Sequence, residues 1–145
     1  MKKKHIVMIV VLLFVIALCF IIGWFFLKGP ELKNHTVSNM SVTITTENGA
    51  DKVDLTQEDI ASVCDWINQM PKKFSGIFEP GAGWDVLINY SNGDQAALKQ
   101  ISIVENKIIY RGIIDRSYTV SAQAIEEFKQ QVGVFTKVSE DNGGV

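Results

Sequence analysis

The chain has 145 residues, a formal net charge of −2 and a hydrophobic share of 47%. That length holds one domain of ordinary size and one membrane segment. Two cysteines are too few for a disulfide framework, and both histidines, His5 and His35, lie outside the stretch that reads as folded, which excludes a Cys/His zinc site and a Ser-His-Asp or Cys-His nucleophilic arrangement.

Residues 6–27 form an uncharged apolar run of 22 residues. As a helix it spans roughly 33 Å, against a hydrocarbon core of about 30 Å. A cleaved signal peptide has a shorter apolar region and a small-residue cleavage site. This run instead ends in Trp24-Phe25-Phe26-Leu27-Lys28-Gly29-Pro30. A lipidated Cys19 would follow Leu18, where a small residue is required, so the run reads as a signal anchor. Lys2, Lys3, Lys4 and the terminal amine precede it, and Lys28 and Lys33 follow it. This bias places the N-terminus in the cytoplasm and the C-terminal part outside. Trp24, Phe25 and Phe26 fit an interfacial aromatic belt. Gly23 alone makes no G-x-x-x-G pairing pattern.

Residues 28–145 hold all 16 acidic and 11 of the 14 basic residues, a net charge of −5. An acidic domain without a basic stripe argues against nucleic acid and against anionic lipid as its main partner. Cys19 and Cys64 cannot meet, one lying in the span and the other in the domain. An outward domain without an internal disulfide points to a bacterial cell surface. The glycosylation-type triplets at Asn34, Asn39 and Asn89 read as accidental.

Residues 28–37 are a polar tether. Residues 40–46 alternate, with Met40, Val42 and Ile44 on one face, and read as a strand. Glu47-Asn48-Gly49-Ala50 is a turn, and residues 52–55 a short return strand. Thr56 is an N-cap before Gln57-Glu58-Asp59, and Ile60, Val63, Cys64, Ile67 and Met70 form the stripe of a helix that Pro71 ends. Cys64 reads as a buried small hydrophobe.

Residues 72–83 read as a loop or ragged strand. Residues 84–90 are a strand with Trp84, Val86, Ile88 and Tyr90 on one face. Ser91-Asn92-Gly93-Asp94 signals a type I′ hairpin, with positive φ at Asn92 and Gly93. Strands follow over 95–104 and 107–114, joined at Glu105-Asn106, and a short one over 117–120. Ser121 caps a last helix over 122–132, with Ile125, Phe128 and Val132 inward and Gly133 at C′. Residues 139–145 read as a disordered tail. These elements predict an α+β fold: an N-terminal single transmembrane helix, then a two-layer domain over 38–138, an antiparallel sheet of 4–5 strands with two helices packed on one face.

The search for chemistry yields no catalytic, cofactor-binding or metal-ligating residues. Glu79-Pro80-Gly81-Ala82-Gly83-Trp84 lacks the Lys-Ser/Thr of a P-loop and precedes a strand, so it reads as a turn. Two places carry a possible partner surface. One is the aromatic loop with Phe78 and Trp84. The other is Arg111 and Arg116, where Arg111 could take a carboxylate or phosphate but more commonly pairs with Asp115.

The strand leading into Leu55-Thr56-Gln57-Glu58-Asp59-Ile60, then Gly83-Trp84-Asp85, the Asn92-Gly93-Asp94 hairpin and the final 125–132 helix resemble small uncharacterised membrane-anchored extracytoplasmic α+β domains of Gram-positive bacteria. The resemblance covers residues 38–133 and implies a single anchor and no catalytic residues. The expectation is a single-pass anchored domain of non-enzymatic binding or accessory type. Its partner would be a protein or cell-envelope component, with no cofactor and no nucleic acid. The alternatives are an accessory subunit acting through its transmembrane helix, and a carboxylate-based cell-envelope hydrolase.

Overall fold

The computed structural model describes residues 3–77, 83–93 and 97–142. Helix α1 (Lys3–Lys28) has 26 residues and no buried side chain. At 1.5 Å per residue it is about 39 Å long, enough to cross a bilayer. Gly29 ends it with φ +72°, the left-handed value that glycine adopts without Cβ strain. A 3₁₀ turn at Asn34–Thr36 then leads into the domain.

The domain follows the order β1 (Val37–Thr46), β2 (Gly49–Asp54), α2 (Gln57–Gln69), β3 (Lys73–Ile77), β4 (Val86–Asn92), β5 (Lys99–Val104), β6 (Lys107–Arg111), β7 (Arg116–Thr119) and α3 (Ala122–Asn142). It is α+β, as expected. All seven strands form one antiparallel sheet, ordered β2-β1-β4-β5-β6-β7-β3. This corrects the expected 4–5 strands. The region read as a loop or ragged strand supplies β3, which pairs with β7 and sets Phe74 opposite Tyr118.

The hydrophobic rows cross most of the sheet. Ile44, Val86, Ile103, Ile108, Tyr118 and Phe74 stand side by side in register. The next row is Val42, Ile88, Ile101, Tyr110 and Arg116, and the third is Met40, Tyr90 and Lys99. The first row is almost wholly apolar, while the second and third turn to Tyr, Lys and Arg. Helices α2 and α3 bring Ile60, Val63, Cys64, Ile67, Ile125, Phe128 and Val132 into the same core. Trp66 joins the helices, edge-on to Phe128 at 6.5 Å and stacked on Phe135 at 5.9 Å. On the opposite sheet face Ser102, Ile109 and Ser117 are also buried, and Ser117 bonds to Ser75 Oγ and the Gly76 carbonyl.

The caps form as the residues dictate. Thr56 Oγ1 accepts from Asp59 N–H at 3.3 Å and donates to Asp59 Oδ2 at 2.7 Å. Ser121 Oγ accepts from Ala124 N–H at 3.2 Å. At the C-terminus of α2, Lys72 donates to the carbonyls of Ile67 and Met70, satisfying groups that Pro71 leaves without a helical partner.

Three local expectations are corrected. The strand expected over 107–114 stops at Arg111, and residues 112–114 belong to the β6–β7 connection. Asn92 is the last residue of β4, opposite Val37, and only Gly93 has the positive φ, +55°. The expected type I′ geometry, with positive φ at both Asn92 and Gly93, is therefore not adopted, because pairing with β1 holds Asn92 extended; Asp94 lies outside the described residues. Helix α3 runs through Gly133 to Asn142 instead of ending at Val132. The Phe135 stack on Trp66 rewards continuation, against about 1 kcal/mol for a glycine within a helix. The expected polar tail thus starts inside α3, and residues 143–145 lie outside the described residues.

Candidate functional site

Five strands have a terminus at one end of the sheet, at Val37, Asn92, Lys99, Arg111 and Arg116. The helices cover the aliphatic rows, and at this end the sheet face is Tyr90, Tyr110, Lys99 and Arg116 instead. The chain leaving α1 passes over it. Leu32, 5% exposed, is clamped there by Asn68 of α2. Leu32 N–H donates to Asn68 Oδ1 at 2.9 Å, and Asn68 Nδ2 donates to the Leu32 carbonyl at 2.7 Å. Between this segment and the strand ends lies a cleft of about 490 Å³. That is within the usual ligand-pocket range of about 300–1,000 Å³.

The charges on its lining are uneven. Lys33, Lys99, Arg111 and Arg116 face a single carboxylate, Glu31. Arg111 is engaged within the protein, donating to Asp115 Oδ2 at 2.7 Å and to Ser102 Oγ at 3.5 Å. Burial alone would raise the Asp115 pKa. The hydrogen bonds from Arg111 and Gly112 N–H, with the Arg111 charge, outweigh it and hold the carboxyl below its usual range. Two of the lining residues carry buried polar atoms, Tyr110 Oη and Asn92 Oδ1, that have no hydrogen-bond partner among the described residues. Burial pushes the Tyr110 phenol well upward, with Tyr118 and Tyr90 adding and Arg116 opposing, so it stays protonated and able to donate.

The same end of the domain is packed against α1. Tyr118 Oη donates to the Phe26 carbonyl at 2.8 Å, satisfying one of the last carbonyls of the helix. Phe26 packs on Phe74 with ring centroids 5.6 Å apart. The Arg116 guanidinium lies 4.6 Å from the centre of the Phe25 ring, a cation–π contact. The Arg116 charge beside Tyr118 offsets part of the upward push that burial gives that phenol. Arg116 thus lines the cleft and touches the apolar helix at once. Beside it the β6–β7 loop exposes Ile113 completely and Ile114 by half.

The expected partner-site residues are divided by the sheet. Arg111 and Arg116 both line the cleft. Trp84 lies at the opposite end, half-buried before β4, its carbonyl accepting from Thr45 Oγ1 at 2.9 Å. Phe78 lies outside the described residues. Lys33, Lys99, Tyr110 and Asn92 carry no local signal of a binding site, and it is the strand register and the Asn68 clamp that gather them. Among the described residues no three His, Cys, Asp or Glu side chains gather as a metal site. Cys64 is buried in the core, where desolvation, with Asp65 adding, pushes its thiol to about 11. No protein-family model, no curated protein and no solved structure matches this chain.

Proposed function

We propose that this chain is a single-pass, membrane-anchored binding module without enzymatic activity. Its N-terminus is cytoplasmic, its domain extracytoplasmic, and its binding site is the cleft beside the anchor. The partner is a component of the cell envelope. The observation that carries this reading is the packing of α1 into the domain at the cleft: Phe25 on Arg116, Phe26 on Phe74, and the Tyr118 hydrogen bond. A domain hung on a loose tether would sample many orientations. One seated on its own anchor presents a fixed face at the membrane surface, and that face holds the cationic cleft. Lys2, Lys3 and Lys4, ahead of the apolar run, support the orientation.

The test is photocrosslinking in native membranes from Ile114, at the cleft, and from Glu47. Glu47 sits in the β1–β2 turn at the far end of a ten-residue strand, roughly 30 Å away. A defined adduct from Ile114 and none from Glu47 supports the reading. Equal capture from both positions, or none from either, contradicts it.

A further inference from the structure

We propose that the cleft binds the headgroup of an anionic phospholipid, a phosphodiester that carries a free hydroxyl, drawn from the membrane leaflet that α1 enters. This deepens the binding-module reading and rests on it for the position of the membrane.

Four observations converge. First, the charge fits an anion. Lys33, Lys99 and Arg116 come from the tether, β5 and β7, and Glu31 is the one carboxylate among the described lining residues. The domain's overall negative charge hides this local excess. Second, two residues that line the cleft carry buried polar atoms, without a hydrogen-bond partner among the described residues, whose chemistry matches the two halves of such a headgroup. Tyr110 Oη, on a residue 5% exposed, is a donor for a phosphate oxygen. Asn92 Oδ1 is an acceptor for a headgroup hydroxyl. Buried polar atoms are nearly always paired, with protein or with ordered water, and these two have no partner among the described residues.

Third, the cleft is at membrane height. Pro30 lines it two residues after α1 ends, and Arg116 touches Phe25 of α1 itself. A lipid beside the anchor reaches the cleft without leaving its leaflet. Fourth, the lip is apolar. Ile114 lines the cleft and Ile113 beside it is fully exposed. A water-borne phosphate has no use for exposed isoleucines, whereas they suit the upper acyl region beneath a bound headgroup. This fourth observation selects a lipid over a free phosphate compound.

The experiment is native mass spectrometry of the full-length protein in micelles, titrated with phosphatidylglycerol, phosphatidylcholine or soluble glycerol phosphate. The expected result is retained phosphatidylglycerol, with at least about tenfold weaker retention of the other two. Each cation near a membrane surface contributes about a fivefold effect, so Lys33→Gln with Lys99→Gln lowers phosphatidylglycerol retention about 25-fold. Tyr110→Phe, which keeps the ring in the core, also lowers it. Equal retention of phosphatidylglycerol and phosphatidylcholine overturns the proposal, as does retention indifferent to the lysine substitutions. Glycerol phosphate binding as tightly as the lipid overturns the lipid source. Micelle binding does not depend on which side of a membrane the domain faces. A protein that faces outward yet retains no phosphatidylglycerol therefore defeats only this inference, and an inward-facing domain defeats the reading beneath it.

Discussion

Asn68→Ala is expected to release the segment that roofs the cleft while leaving the rest of the domain folded. The Asn68 amide makes two half-buried hydrogen bonds to the main chain of Leu32, at 2.9 and 2.7 Å. Each is worth about 0.5–1.5 kcal/mol, so the local loss is about 1–3 kcal/mol. Alanine is the better helix former, so α2 itself is not weakened and the global melting temperature moves little. The consequence is local opening. Lys28 and Lys33 flank the clamp and are exposed, so trypsin is the probe. Cleavage needs the segment lifted from the sheet, and its rate follows the open population. A loss of about 1–3 kcal/mol raises the rate of cutting after Lys33 about 5- to 150-fold. Full-length protein in micelles, sampled by mass spectrometry, reads this directly. A rate within about twofold of the parent protein, with unchanged melting, would refute the clamp.

Three further outcomes follow from the core and the loop. Phe128→Ala empties a site 1% exposed between α3 and Trp66 and costs about 3–5 kcal/mol, a large part of a typical domain's stability. A circular dichroism melt shifted by only a few degrees would contradict that packing. Asp115→Asn costs about 1 kcal/mol at pH 7, because the Asp115 carboxyl is held below its ordinary value by Arg111 and Gly112. A depressed carboxylate contributes above its unfolded pKa and stops contributing as pH falls through its folded one. The deficit should therefore shrink in melts as the pH is lowered through and below the ordinary carboxylate range, and a pH-independent deficit would contradict the ion pair. With its thiol pushed to about 11, Cys64 is about 0.1% thiolate at pH 8, so iodoacetamide should leave it unmodified in the folded Cys19→Ala protein and label it in denaturant. Stoichiometric labelling of the folded form within minutes would contradict its burial.

Elements whose pattern is local were legible in the sequence. The apolar helix needs only length and lack of charge. The first helix of the domain has a capping threonine, one apolar stripe and a terminating proline within 16 residues. Strand β4 shows its inward face by alternation, and Val86 and Ile88 are fully buried. Illegible elements depend on partners far away in sequence. Strand β3 contains a glycine and only two apolar side chains, and it is a strand because β7 lies beside it. Asn92 is extended because Val37 pairs with it 55 positions earlier. The last turns of α3 follow from Trp66, which no helical periodicity reveals.

The cleft is the strongest case of this kind. Arg111 and Arg116 stood out as arginines near a strand end, and the expected Arg111–Asp115 pair is present at 2.7 Å. Lys33 and Lys99 lie 66 positions apart, and each alone is an ordinary surface lysine. The antiparallel register carries Lys99 beside Tyr90, and the Asn68 clamp lays the Lys33 segment over both. Summed charge gave the opposite indication, since a net −5 says nothing about where the positive charges gather.

The account turns on an anchored domain that faces outward. The direct measurement is labelling with a membrane-impermeant maleimide on intact cells expressing full-length Cys19→Ala protein. Lys52→Cys, on an exposed strand, and His5→Cys, before the span, are the two reporters. The account predicts labelling of Lys52→Cys on intact cells and of His5→Cys only after permeabilisation. The reverse pattern, or release of the domain into the medium by cleavage after the span, would contradict it.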